Sequence, residues 1–154
     1  MSLRRATVAD AVALGALHIE AMRTLTFLPQ LHTVEEAVSW MARQVLPAHQ
    51  VWVFEDEGEV AGYIACAEGW INQLYVRPDR QGQGIGATLL AHVLAEGSPR
   101  RLWTFQQNER ARRFYESRGF VLVRLTDGAG NEEKTPDALY EWRGRDSAEI
   151  EVSL

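Results

Sequence analysis

The sequence has one cysteine and one lysine, and neither stands where that residue type usually does chemistry. Cys66 has no partner for an intrachain disulfide, lies in the apolar run Tyr63–Ala67 and has no cationic neighbour in sequence to lower its pKa, so it reads as core filler. Lys134 is far from the glycine-rich segment, which excludes the Gly-Lys-Ser/Thr ending of a P-loop. His18, His32, His49 and His92 are too dispersed for metal-ligand spacing, so no metal is expected, and no Gly-x-Ser-x-Gly nucleophile elbow occurs. Long apolar runs are absent too: no window approaches the roughly eighteen residues that a bilayer-spanning helix needs. Met1-Ser2-Leu3-Arg4-Arg5 leads into acidic and amphipathic sequence rather than a secretory apolar stretch, which predicts a soluble, cytoplasmic protein without a membrane partner. Positive charge is scarce as well. Sixteen basic against twenty-one acidic residues give a net charge of −5, so the field that drives nonspecific nucleic-acid binding is missing.

What is present is enough apolar sequence for one core. With 154 residues, 46% hydrophobic and 24% charged, and no repeat or Pro/Gly-rich linker, a single domain over 1–154 is expected, with 144–154 read as a tail. A short strand at Leu3–Ala6 precedes Thr7-Val8-Ala9-Asp10, whose hydroxyl and carboxylate have capping-box spacing. The helix it starts carries Leu14, Leu17 and Ala21 on one face and breaks at Leu28-Pro29. Thr33-Val34-Glu35-Glu36 repeats the capping pattern, with Val34, Val38, Met41 and Val45 as the buried stripe until Pro47. Three β-rich runs follow, Val51–Phe54, Val60–Ala67 and Trp70–Val76, joined at Glu57-Gly58 and Glu68-Gly69 as consecutive hairpins. Ile85, Leu89, Leu90, Val93 and Leu94 then describe a helical face, and Leu102–Phe105 a strand. Asn108 is an N-cap for a helix with Ala111, Phe114 and Tyr115, and Gly119 suits its C′ position. Phe120–Leu125 and Ala138–Trp142 close a β-α-α-β-β-β-α-β-α-β-β order, a mixed α/β layer structure.

The chemistry points to Gln81-Gly82-Gln83-Gly84-Ile85-Gly86-Ala87, between a strand and a helix. Without Cβ atoms in the way, several amide N–H groups there can converge on an anion, and the helix dipole favours negative charge at the same end. A pyrophosphate suits it. A dinucleotide fingerprint would need a βαβ unit and an acidic residue about twenty positions on, whereas Thr104-Phe105-Gln106-Gln107 supplies none.

Two stretches resemble the GNAT superfamily of acyl-CoA-dependent N-acyltransferases. Leu74-Tyr75-Val76 through Gln81-Gly82-Gln83-Gly84-Ile85-Gly86-Ala87 is similar to its central strand and Arg/Gln-x-x-Gly-x-Gly/Ala pyrophosphate motif. Asn108 to Phe120 is similar to its later helix and Phe-Tyr-x-x-x-Gly-Phe ending. The resemblance implies the GNAT fold: a mixed, mostly antiparallel central sheet with a bulged, splayed central strand, flanked by about four helices. It implies direct attack of an amine on the thioester of acetyl-CoA as cosubstrate, without a metal. Leu74, Tyr75 and Val76 match the strand that binds the pantetheine arm, and a backbone N–H there would stabilise the oxyanion. Tyr115 matches the acid that protonates the departing thiolate, and Asn108 matches a contact to the coenzyme.

The base is the gap in this pattern. Trp70–Val76 and Leu102–Phe105 contain no carboxylate, and Trp103 stands where some relatives have glutamate. Asn72, Gln73 or Glu68 through water, or Glu20 from the first helix, are the substitutes in view. Arg110, Arg112, Arg113 and Arg118 form a basic helix face that would reach the 3′-phosphate of CoA or simply meet solvent. Leu25–His32 and the loop with Glu132 and Glu133 would supply contacts to a small-molecule or peptide amine. The alternative function is a catalytically silent acyl-CoA-binding module. Homodimers are common among similar proteins.

Overall fold

A computed structural model describes residues 2–145, and the part of the tail expectation that falls on 146–154 lies outside them. The chain divides into two compact units, Met1–Val93 and Leu94–Leu154. In the first, strand β1 (Ser2–Arg5) is followed by helices α1 (Ala11–Arg23), α2 (Val34–Trp40) and α3 (Leu46–Ala48), strands β2 (Gln50–Asp56), β3 (Glu59–Ala67) and β4 (Trp70–Val76), and helix α4 (Ile85–Leu94). The strands run in the order β1-β2-β3-β4, each antiparallel to its neighbour. The second holds β5 (Arg100–Phe105), α5 (Glu109–Glu116), β6 (Val121–Thr126) and β7 (Asp137–Trp142), in the order β5-β7-β6, again antiparallel. The expected mixed α/β architecture is therefore present, element for element.

The hairpins close as their sequences require. Glu57 and Gly58 have φ of 53° and 78°, and Glu68 and Gly69 have 51° and 83°. Two successive left-handed residues make the turn whose twist matches that of the flanking strands.

The helices depart from expectation in their ends. Val8–Asp10 forms a 3₁₀ turn before α1, with the Asp10 carboxylate accepting the Thr7 N–H at 2.8 Å. The helix stops at Arg23, five residues short of Leu28, because the apolar stripe ends with Ala21 while Thr24 turns its hydroxyl back onto the Ala21 carbonyl at 2.6 Å. The Thr33–Glu36 capping box is complete. Beyond α2 the chain continues through a π turn, Met41–Val45, into α3, so Pro47 sits inside the last turn instead of stopping the helix before it. Pro47 has no N–H to return to the preceding turn, and a wider turn just upstream accommodates that loss. With α2 to α3 continuous, the described residues hold four α-helical segments. The buried stripe is Ala37, Met41 and Val45, with Val34 and Val38 half-buried at its edge.

The first unit's core gathers Leu14, Leu17, Met41, Val45, Val51, Val53, Tyr63 and Ala65, with Trp40 and Tyr75 packed against it. Tyr63 points toward α1, whereas the adjacent Gly62 meets Ile85 and Leu89 of α4, so the helices cover opposite faces of this sheet. Cys66 is buried, in keeping with core filling.

Candidate active site

The glycine-rich turn is fixed in place by charge. Arg77 donates to Glu59 at 2.8 Å and to Asp79 at 2.9 Å, and Arg80 donates to Asp56 at 2.7 Å, tying the segment after β4 to the β2–β3 hairpin. The Arg77 N–H also donates to the Ala61 carbonyl at 2.8 Å, across a bulge in β3. These pairs are partly exposed, worth about 0.2–1 kcal/mol each, so they position the turn more than they stabilise the fold.

Within the turn, Gly82 and Gly84 both have φ of +82°, and a Cβ on either would meet nothing within 4 Å. The backbone therefore faces open space. The Gly84 carbonyl already accepts the Thr88 N–H at 3.0 Å, so α4 begins directly at the turn. The amides of its first residues, Ile85, Gly86 and Ala87, have no acceptor within the helix. Donors and dipole thus coincide at the start of α4, directly after two glycines whose side-chain positions are open, an arrangement that suits a phosphate chain.

Strand β4 is bulged. Ala65 pairs with Gln73 but Cys66 pairs with Ile71, leaving Asn72 without an opposite residue on β3. Leu74, Tyr75 and Val76 follow the bulge, half-buried, and pair with Ile64, Tyr63 and Gly62. Gln73 is buried, with its Oε1 accepting the Tyr63 hydroxyl proton at 2.7 Å. The same hydroxyl lies 3.0 Å from Nδ1 of His18, whose ring rests edge-on against Tyr75 at 4.9 Å and tilted against Trp40 at 5.1 Å. Burial lowers His18 to about 4, with His32 adding to the effect, and pushes the Tyr63 phenol well above its usual value. This polar chain links α1, β3 and β4. In the sequence His18 stands out only as one of four histidines too dispersed to hold a metal, yet Leu14, Leu17, His18 and Ala21 share the spacing of one helix face, the signal that places it toward the core.

In the second unit, the Asn108 side chain accepts the Ala111 N–H at 3.2 Å and caps α5. Tyr115 is buried between Phe114 and Phe120, with ring centroids 5.2 and 5.4 Å away. Arg112 turns inward, donating to the Tyr140 hydroxyl at 2.9 Å, and Arg118 covers the Phe114 ring at 4.2 Å. The basic face of α5 is thus partly spent on its own unit. Trp103 is exposed on β5 beneath Arg124.

A cavity of about 480 Å³ in the first unit is lined by Arg4, Asp10, Glu20, Glu59 and Arg77 among others, and by none of residues 81–87. Its arginines are already paired with carboxylates, and Glu20 is among its lining residues. Among the described residues there is no group of three or more His, Cys, Asp or Glu that could hold a metal, and no helix is long and apolar enough to cross a membrane.

A family model for the acetyltransferase (GNAT) domain matches residues 47–122, the stretch that holds β2 to β4, the glycine turn and α5. An uncharacterized N-acetyltransferase of Archaeoglobus fulgidus is 30% identical over 135 residues, covering 76% of this chain and 90% of its own length. The chain belongs to the GNAT superfamily. Another relative of this GNAT chain, the L-amino acid N-acyltransferase MnaT of Escherichia coli, is 27% identical over 146 residues, covering 80% of the chain and 81% of MnaT. The structure of yncA from Salmonella typhimurium with its cofactor acetyl-CoA superposes with a TM-score of 0.74 at 21% identity over 95% of both chains, which establishes the shared fold. Its relatives are named N-acetyltransferase and N-acyltransferase, which puts the chain's family in the acyltransferase class.

Proposed function

We propose that this GNAT chain transfers the acetyl group of acetyl-CoA to a primary amine by direct attack. The observation that carries the reading is the turn at 82–86, where two left-handed glycines, with nothing standing where their side chains would be, lead directly into the start of α4. In this reading Gln81, Gly82, Gln83, Gly84, Ile85, Gly86 and Ala87 grip the diphosphate, and the backbone of Leu74, Tyr75 and Val76 bonds the pantetheine arm. The bulge at Asn72 supports that assignment by interrupting the β4 ladder just ahead of these three residues. Asn108 contacts the coenzyme in addition to capping α5.

The amine nitrogen bonds to the thioester carbonyl carbon, a main-chain N–H of β4 stabilises the oxyanion, and the C–S bond breaks as the tetrahedral intermediate collapses. Tyr115 gives its phenolic proton to the departing thiolate. A phenol of ordinary pKa near ~10 has little driving force toward a thiolate, so placement decides its value as an acid. The thioester is reactive enough that no metal is called for. The chain acts as a single GNAT domain, in the cytoplasm, on a small-molecule or peptide amine.

The test is calorimetry with acetyl-CoA, followed by free-thiol release from acetyl-CoA in the presence of spermidine, kanamycin, L-amino acids and a lysine-containing peptide with a free N-terminus. Binding and amine-dependent thiol release are expected. Absence of binding refutes the reading; binding with no release for any amine replaces it with a silent acyl-CoA-binding module.

A further inference from the structure

Acetyl transfer needs a group to take the proton that the attacking nitrogen sheds, and β4 carries no carboxylate to do so. We propose that His18 takes this proton at Nε2, with Tyr63 and Gln73 holding the imidazole in the tautomer that leaves that nitrogen bare. The assignment rests on the acetyl-transfer reading and supplies its missing base.

The hydrogen-bond arithmetic fixes the tautomer. A phenol has a single proton, and Tyr63 donates it to Gln73 Oε1 at 2.7 Å. Its oxygen can then only accept from His18 Nδ1, 3.0 Å away, so Nδ1 carries the hydrogen and Nε2 the lone pair. Tyr63 is fully buried and Gln73 nearly so, which keeps water from competing for these bonds. His18 itself is half-buried, and Nε2 has no hydrogen-bond partner among the described residues. The ring is held against Tyr75, one of the three β4 residues assigned to the pantetheine arm. A bare nitrogen is thereby placed beside the strand along which the acyl group would run.

The surroundings keep that nitrogen unprotonated between turnovers. Among the described residues, the titratable groups around the ring are Tyr63 from β3, Tyr75 from β4 and His32 from the segment before α2, and no carboxylate is among those that shift it. Desolvation is the larger influence, followed by His32, and protonation is deferred to about pH 4. Such an imidazole is a weak base toward a free alkylamine. It becomes an adequate one during the reaction, because the nitrogen loses its basicity as its lone pair passes into the new amide bond. The balance is complete: N–C forms, C–S breaks, the nitrogen's proton goes to His18 Nε2, and the thiolate receives the Tyr115 proton. Water then carries the imidazolium proton back to the phenolate.

The test joins spectroscopy to kinetics. In ¹⁵N spectra of the wild-type protein at pH 7, His18 should be protonated on Nδ1 and bare on Nε2, and Tyr63→Phe should mix the tautomers. His18→Gln should lower kcat by roughly 100-fold or more, with KM for acetyl-CoA within about threefold of wild type, using the fastest amine of the panel above. Tyr63→Phe, which removes one oxygen and leaves the ring packing, should lower kcat by about tenfold, and it serves where His18→Gln does not fold. A wild-type His18 protonated on Nε2 at pH 7, or His18→Gln with full turnover and normal acetyl-CoA binding, overturns the assignment alone. Wild-type protein that binds no acetyl-CoA overturns the underlying reaction and this assignment with it.

Discussion

A Cβ built on Gly15 would stand 2.7 Å from the backbone nitrogen of Val38 and 2.8 Å from its Cα, so α1 and α2 meet main chain to main chain. A backbone cannot rotate aside as a side chain can. Gly15→Ala gains up to about 1 kcal/mol in helix propensity, yet forcing the helices apart costs about 1–3 kcal/mol, so net destabilisation is expected. Thermal melts should show a lower Tm; an unchanged or higher value would mean that the helices separate without cost.

Gly84→Ala should separate binding from folding. An L-residue at φ +82° is disfavoured by about 1–2 kcal/mol, but the added methyl touches nothing, so only the turn has reason to change. As the turn relaxes, its amides lose their common aim. The expected result is a folded protein whose acetyl-CoA affinity drops at least about tenfold by calorimetry. Wild-type affinity in the variant would remove this turn from the coenzyme site.

Tyr115→Phe should act on chemistry. Its ring packing with Phe114 and Phe120 survives the substitution, so Tm should move little. Loss of the proton donor lowers kcat by about 100-fold while acetyl-CoA affinity stays within about threefold. Equal losses in both quantities, or in neither, would take the acid role from Tyr115.

Arg4 and Asp10 form a two-point ion pair, at 2.8 and 2.9 Å, that braces β1 against the start of α1. The Arg4 hydrogen bonds, ahead of the Thr7 N–H, hold the Asp10 carboxyl below its ordinary 3.8. With the folded-state pKa depressed, the pair stabilises the protein above pH 3.8 and the contribution disappears as pH falls through the lowered value. Arg4→Met should cost about 1 kcal/mol in urea melts at pH 7, and the difference from wild type should shrink at pH 3. A difference of the same size at both values would place its origin elsewhere.

Much of the fold was legible because local chemistry and tertiary packing agree. Glu57-Gly58 and Glu68-Gly69 close hairpins in the only twist two-residue loops favour, and Asn108 caps α5 where its spacing predicted. The helix ends were less legible. Pro47 reads as a stop, but the π turn at Met41–Val45 absorbs it while Met41 and Val45 stay buried, so packing outweighed the local break. The fate of the basic face on α5 was also hidden, since nothing within α5 tells Arg112 that Tyr140, twenty-eight residues away, offers it an oxygen.

By itself the sequence determined the element order, the glycine turn and the family, because each rests on interactions within a few residues: caps, turn angles and apolar period. Only the tertiary structure decided that His18, Tyr63 and Gln73 form one hydrogen-bonded chain. That chain spans residues 45 and 10 positions apart, on α1, β3 and β4, and it exists because one buried phenol has a single proton to place and two neighbours to satisfy.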